Sequence, residues 1–232
     1  MANDQEKEAA ARASLKFVRD GQVVGLGTGS TAAYFIRLLA ERVKQERLRI
    51  RGIPTSDRSR DLALSLGIPL TTLDECQEIA VTVDGADEVD PELRLIKGGG
   101  GAMLREKVVA SATRQLVIVA DASKRVARLG KFPVPVEVIP FAQALVAKKI
   151  AALRALVQIR CGTDGKPYVT DENNHILDCH FGDIPDADSL ARRLDDMPGI
   201  VEHGLFIGMA STVLFAKGNE IVELHRQGKS SG

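Results

Sequence analysis

Residues 79–107 read IAVTVDGADEVDPELRLIKGGGGAMLREK and gather, in one compact stretch, the groups that could do chemistry. An apolar β-branched run, Ile79 to Val83, stops at Asp84-Gly85-Ala86-Asp87-Glu88, so a buried strand delivers carboxylates to a turn at its C-terminal end. Open α/β sheets bind ligands at that end. A second strand-like run, Leu93 to Ile96, ends at Lys97 and passes into Gly98, Gly99, Gly100 and Gly101. Consecutive glycines pack poorly and cost backbone entropy, so they belong where amides approach a ligand closely. Helix-forming residues resume at Ala102, which places Glu106 near a helix start. Each part alone has an ordinary role: Asp84-Gly85 as a turn, Lys97 as a solvated strand end, Glu106 as an acid favoured by the helix dipole. Their conjunction points to a site in which an acid, a lysine, open backbone and further acids converge.

A second motif handles anions. Val23 and Val24 begin a strand that runs into Gly25-Leu26-Gly27-Thr28-Gly29-Ser30-Thr31 and then into a helix from Ala32 to about Lys44. Free amides and the helix dipole favour a phosphate there, and Thr28, Ser30 and Thr31 can donate hydroxyls. A dinucleotide fingerprint wants a third glycine where Ser30 stands, and a Walker A loop wants a Gly-Lys pair. A phosphomonoester therefore fits better than a dinucleotide or ATP. The plainer alternative is a strand-to-helix turn with hydroxyl caps.

The elements that must position these groups follow a regular order. Asp4 to Arg19 reads as an amphipathic helix carrying Lys7 on its first turns; Ile50 to Pro54 is a strand; Ser56 caps a helix through Leu66. Leu116 to Val119 is a strand ending in Ala120-Asp121-Ala122-Ser123-Lys124, where Lys124 is a further anion contact. The alternation predicts an α/β fold, a doubly wound, mainly parallel Rossmann-like sheet. From Phe132 the pattern changes: a strand Val134 to Ile139, a helix Ala142 to Leu156, strands Val157 to Cys161, Tyr168 to Thr170 and His175 to His180, a helix capped by Asp188, and a strand Ile200 to Phe206. That order is close to β-α-β-β-α-β, an inserted ferredoxin-like α+β domain. The expected division is 1–131 plus 207–232 for the catalytic domain and 132–206 for the insertion. Ser211 to Ala216 and Glu220 to Leu224 form a hairpin returning to the first domain, and the polar tail HRQGKSSG is expected to be disordered.

Composition excludes several classes. Lys plus Arg and Asp plus Glu are 31 each, so neither nucleic acid nor an anionic membrane is an expected partner. No apolar run reaches the roughly 20 residues of a membrane helix, and the N-terminus lacks a signal-peptide core, so a cytoplasmic protein is expected. Cys76, Cys161 and Cys179 have no paired spacing, and His175, His180, His203 and His225 have no metal-ligand spacing. Reduced thiols, solvated or satisfied histidines and no metal are the expectation.

GLGTGST, DGADEVD, KGGGGAMLREK and ADASKRVARLGKFPVPVEVIPFA, in this order, resemble the ribose-5-phosphate isomerases of the A type, from about Lys7 to the final hairpin. The resemblance implies interconversion of D-ribose 5-phosphate and D-ribulose 5-phosphate in the non-oxidative pentose phosphate pathway. It further implies no metal or organic cofactor, and a homodimer or tetramer, of which the homodimer is expected. Carried over by position, the substrate-binding residues are Thr28, Gly29, Ser30, Thr31, Asp84, Gly85, Ala86, Asp87, Lys97, Gly98, Gly99, Gly100 and Lys124, with Lys7 as the counterpart of a phosphate-reaching lysine. Glu106 matches the proton acceptor. The chemistry agrees, since aldose–ketose exchange moves a proton between C2 and C1 through an enediolate and needs a carboxylate base with donors for the charged oxygen. Glu106 is the expected base, Lys97 and the glycine amides the donors, and Asp84, with Asp87 as an orienting or alternate carboxylate, the group that shuttles hydroxyl protons and assists furanose opening. Two other readings are a sugar-phosphate sensor, which leaves the base unexplained, and a coenzyme A transferase, whose glutamate is a nucleophile.

Overall fold

Parallel strands covered on both faces read as continuous apolar runs, and residues 23–26 and 116–120 do. In the computed structural model, which describes residues 2–218 and 220–226, the first half comprises α1 (Ala2–Ser14), β1 (Val23–Leu26), α2 (Ser30–Glu46), β2 (Arg51–Pro54), α3 (Asp57–Ser65), β3 (Ile79–Asp84), β4 (Glu88–Val89), β5 (Leu95–Ile96), α4 (Met103–Ser111) and β6 (Thr113–Asp121). The second half comprises β7 (Val134–Val138), α5 (Gln143–Ala151), β8 (Leu156–Ile159), β9 (His175–His180), α6 (Ala187–Asp195), β10 (Ile200–His203), β11 (Leu205–Phe206), β12 (Thr212–Lys217) and β13 (Glu220–His225).

The chain divides into two compact units, one of residues 1–85, 109–125 and 208–232, the other of residues 86–108 and 126–207. The expected boundary at 131/132 groups 86–108 with the parallel sheet, whereas by packing they go with the second unit. The first unit holds a six-stranded sheet in the order β13-β12-β6-β3-β1-β2, parallel except for the β12–β13 hairpin. One side of it, made by Val24, Leu26, Val81, Val83, Val117, Val119, Leu214 and Ala216, packs with Phe35, Ile36 and Leu39 of α2 and Ala10 and Ala11 of α1. The chain leaves β1 for β2 on one side and resumes with β3 on the other. That reversal is a topological switch point, which opens a crevice at the C-terminal ends of β1 and β3.

The second unit holds a four-stranded antiparallel sheet in the order β10-β7-β9-β8, the strand arrangement of the expected ferredoxin-like insertion, and a small sheet β11-β5-β4. Val134, Val136, Val138, Leu177 and Cys179 pack with Val146 and Ile150 of α5 and Ala191 and Leu194 of α6. Four expected elements differ. The helix expected over 142–156 is α5, Gln143–Ala151, and Leu156 instead begins β8. Tyr168 to Thr170 makes only an isolated bridge, Val169 to His175, because the chain turns back at Asn173 with φ 60°. The strand 200–206 is interrupted at Gly204, whose N–H donates to Pro135 O while its carbonyl accepts from Lys97 N, so the segment serves two sheets in succession. The cap of α6 is Asp186, accepting from Ser189 N at 2.8 Å, and Asp188 instead faces Arg94 at 3.4 Å. The tail beyond Arg226 lies outside the described residues.

Candidate active site

In the first unit a cluster of polar groups is built around the end of β3. Asp84 is buried, and its Oδ1 accepts from Thr28 N at 3.0 Å and Gly85 N at 2.7 Å. Gly27 makes this possible, since a Cβ there would lie 2.4 Å from the Asp84 carboxylate. The expected hydroxyl donor Thr28 is turned inward: its Oγ1 lies 2.7 Å from Thr55 Oγ1, 2.8 Å from Ser56 Oγ and 3.2 Å from Ser59 Oγ. Ser59 in turn donates to Gly27 O at 2.6 Å. Thr28 therefore shapes the loop rather than offering its hydroxyl. Thr55, Ser56 and Ser59, the polar residues straight after β2, are members that the sequence reading missed.

Gly29 is the N-cap of α2 and no side chain caps it. The first helical bond runs from Ala33 N to Gly29 O, so the Ser30, Thr31 and Ala32 amides precede the ladder and form an anion-binding end with the exposed Ser30 hydroxyl. Lys124 is half-buried on a short 3-10 turn, Ala122–Lys124, after β6, the strand beside β3. Lys7 lies on α1 with its ammonium 3.8 Å from Asp4. These residues offer amides, hydroxyls and ammonium groups, the donors that an anion would use.

In the second unit Lys97 and Glu106 are brought together. Lys97 follows β5, and its N–H donates to Gly204 O, which fixes where the strand stops. Glu106 sits in the first turn of α4. Lys97 is 2% and Glu106 4% exposed, and Nζ lies 3.3 Å from Oε2. Phe206 of β11 packs beside them, with Lys97 Nζ 5.4 Å and Lys107 Nζ 5.0 Å from its ring centre, both within cation–π range. Asp87 is half-buried, takes Gly99 N–H on Oδ2 at 2.8 Å, and donates its own N–H to Ile96 O. Ala86, half-buried, opens this unit after Gly85. Glu88 is spent on the backbone, accepting from Gly130 N and Phe132 N at 2.7 and 2.6 Å.

The glycine loop corrects one expectation. Gly99 N–H is committed to Asp87 and Gly101 N–H to Gly98 O, so these two amides are not donors for an oxyanion. Gly98, with φ 101°, holds a backbone conformation that other residues rarely adopt. Gly99 and Gly100 are exposed.

Behind Glu106, Lys107 reaches Glu202 Oε1 at 2.5 Å and His203 O at 2.7 Å. Burial pulls its ammonium below the ordinary lysine value, opposed by Glu202. Among the described residues, Asp195, Glu202 and His203 offer ligand atoms within 4.8 Å of one another. The donors there favour a different use. Leu205 N–H donates to His203 Nδ1 at 3.2 Å, which leaves the neutral ring's proton on Nε2, 3.0 Å from Asp195 Oδ1. The Lys107 ammonium already fills the cation's place. Burial, with Lys107 second, lowers the His203 pKa, so the ring is neutral near pH 7 and satisfied, as expected for the histidines. All three thiols are unpaired, and burial pushes Cys179 up to about 12.

Known proteins share this architecture. The family model of ribose 5-phosphate isomerase A (phosphoriboisomerase A) matches residues 51–220. The ribose-5-phosphate isomerase A of Parvibaculum lavamentivorans is 52% identical over 230 residues, covering 96% of this chain and 99% of that protein. Among solved structures, a D-ribose-5-phosphate isomerase in complex with phospho-erythronic acid superposes with a TM-score of 0.95 at 39% identity, over 97% of this chain and 100% of that one. The ribose 5-phosphate isomerase A of Methanocaldococcus jannaschii gives 0.91 at 42% identity, over 96% and 98%.

Proposed function

The chain belongs to the ribose 5-phosphate isomerase A family, whose reaction interconverts D-ribose 5-phosphate and D-ribulose 5-phosphate, and we propose that it performs this reaction through an enediolate with Glu106 as the proton carrier. The observation that carries the proposal is the buried Lys97–Glu106 pair at 3.3 Å, beside the glycine loop. Glu106 takes the C2 proton of the open-chain aldose; the electrons move through C1 to the carbonyl oxygen. A proton passes from O2 to O1, and Glu106 returns its proton to C1. Lys97 stabilises the oxygen that gains charge, where a low local dielectric strengthens its effect. Asp87 and Asp84 serve the hydroxyl protons and the opening of the furanose ring.

The open amides and hydroxyls of Ser30 and Thr31, with Lys124 and Lys7, take the phosphate. Binding that remote end fixes the reacting carbons. The phosphorylated acid bound by a solved relative supports this ligand class, because its carboxylate resembles the paired oxygens of an enediolate. The role of Thr28 is to hold Asp84 in place through its N–H. The test is conversion of ribose 5-phosphate to ribulose 5-phosphate by the purified protein without added metal; no conversion under any condition would sink the proposal.

A homodimer in the cytoplasm is part of the same reading. Phe141, 98% exposed, and the exposed Leu145, Leu156 and Val169 supply apolar surface for self-association, which light scattering after gel filtration would measure. The unpaired thiols and the absence, among the described residues, of any helix able to cross a membrane support the compartment.

A further inference from the structure

Arg160 ties the antiparallel sheet of the second unit to the glycine loop by hydrogen bonds. Arg160, just past β8, donates from Nε to Asp178 Oδ2 at 3.0 Å and from Nη2 to Asp178 Oδ1, a bidentate pair across the β8–β9 ladder that fixes the guanidinium plane. Its remaining nitrogen, Nη1, lies 2.8 Å from Gly98 O and 3.3 Å from Gly99 O. Because a peptide unit is planar and trans, holding a carbonyl also aims the next residue's N–H the opposite way. The 98–99 peptide is thus held at both ends, its carbonyl by Arg160 and its N–H by Asp87 at 2.8 Å. The 99–100 peptide is held at its carbonyl, which turns the Gly100 N–H away from Arg160 at an exposed position.

We propose that Arg160, braced by Asp178, is a positioning residue that sets the peptide planes of the glycine loop so that the Gly100 N–H is presented as a hydrogen-bond donor to the sugar phosphate. The inference rests on the proposed isomerase reading and adds a reason for the inserted domain to be coupled to that loop. Lysine cannot replace the arginine here: one ammonium cannot grip a carboxylate bidentately and two successive carbonyls as well.

The test uses the full chain, its Arg160→Ala, Arg160→Lys and Arg160→Ala/Asp178→Ala variants, and two readouts. In kinetics, Arg160→Ala is expected to lower kcat/KM by about 10- to 100-fold, the scale of a misplaced binding group. Arg160→Lys should not restore it. Added guanidinium ion at millimolar concentration should rescue Arg160→Ala several-fold and leave the double variant unchanged, since Asp178 is the socket. In NMR of protein labelled with ¹⁵N-glycine, Arg160→Ala should shift and broaden the Gly99 and Gly100 amides while the first-unit glycines stay in place. Unchanged loop amides in Arg160→Ala would overturn the inference even if the parent proved inactive, an outcome that would count against the isomerase reading alone. With an active parent, kcat/KM within about twofold, or a loss that guanidinium rescues equally in both alanine variants, would overturn it as well.

Discussion

Glu106→Gln separates proton transfer from everything else the residue does. The carboxylate is 4% exposed, and its Oε2 lies 3.3 Å from a lysine nitrogen that is itself buried. Glutamine keeps the length, the shape and one accepting oxygen, but neither the charge nor the basic oxygen. Loss of a general base costs about 10² to 10⁴ in rate, or about 2.7 to 5.4 kcal/mol of barrier at about 1.36 kcal/mol per tenfold. The second cost is structural, because the buried Lys97 ammonium loses the Glu106 charge beside it. A broken buried pair costs about 3 to 5 kcal/mol, and the retained accepting oxygen points to about 3. At about 2 to 4 °C per kcal/mol for a chain of this size, Tm should fall by about 6 to 12 °C. The assay is ribose 5-phosphate turnover well below the lowered Tm, with calorimetric binding of an unreactive phosphorylated aldonic acid alongside. Expected is a kcat lower by at least about 100-fold with binding retained. Glu106→Gln/Lys97→Met should regain part of the lost Tm, since it removes the ammonium together with the carboxylate charge, and should remain inactive. A kcat within about tenfold of the parent at unchanged affinity would place the base elsewhere. Turnover that returned with Tm in the double variant would mean that the first loss was structural.

Lys124→Ala should weaken ribose 5-phosphate binding by about 1.5 to 3 kcal/mol, the range for a hydrogen bond to a charged group; equal kcat/KM for ribose and its 5-phosphate would refute the phosphate grip. Reaction in deuterated water should place some solvent deuterium at C1, partial because a shielded carboxylate returns part of its proton unexchanged, and turnover should survive chelation. No deuterium at all, with chelation-sensitive turnover restored by a divalent metal, would assign a hydride shift instead. Burial raises the Glu137 pKa above the ordinary carboxylate value, against the hydrogen bonds from Asn174 and Thr170. The native state then holds the proton more tightly than the unfolded chain, so this group's contribution falls as pH rises from the ordinary value through the raised one. Glu137→Gln should therefore raise Tm at pH 7 to 8, with a gain that fades below the ordinary carboxylate pKa; a gain independent of pH in thermal scans would refute the assignment.

What the sequence made legible was whatever depends on neighbours along the chain. Apolar runs ending in Gly27, Asp84 and Asp121 announced parallel strands with polar groups at their C-terminal ends, and Lys97 and Glu106 flank the glycines closely enough to be read together. Illegible were contacts made through strand pairing. Thr28 looks like a phosphate donor until β2 brings Thr55, Ser56 and Ser59 around its hydroxyl. The glycine amides look equivalent until Asp87 takes one and the loop's own turn another. Arg160 and Asp178 are separated by a loop and meet only because β8 and β9 pair in one register. Asp186 and Asp188 are both good caps, and packing of Arg94 beside Asp188 accompanies the choice between them.

Buried charge separates structure from chemistry in this chain. Glu88 is closed by two backbone N–H groups at 2.7 and 2.6 Å, and Asp90 by Glu92 N, Arg94 N and the Arg94 Nε at 2.6 Å. Those are short bonds, local at Asp90 and long-range at Glu88, that fasten loops, and a ligand would gain nothing by displacing them. Lys97 and Glu106 lie 3.3 Å apart, beyond the roughly 2.7 to 2.9 Å of a tight charge-assisted bond, in surroundings where hydrophobic replacements of equal volume would often stabilise the fold by about 1 to 4 kcal/mol. On the proposed roles, a substrate oxygen that draws the ammonium toward itself takes part of the carboxylate's counter-charge away, which makes Glu106 a better base. In that reading the 3.3 Å separation of the pair couples binding of the sugar oxygen at Lys97 to proton removal by Glu106.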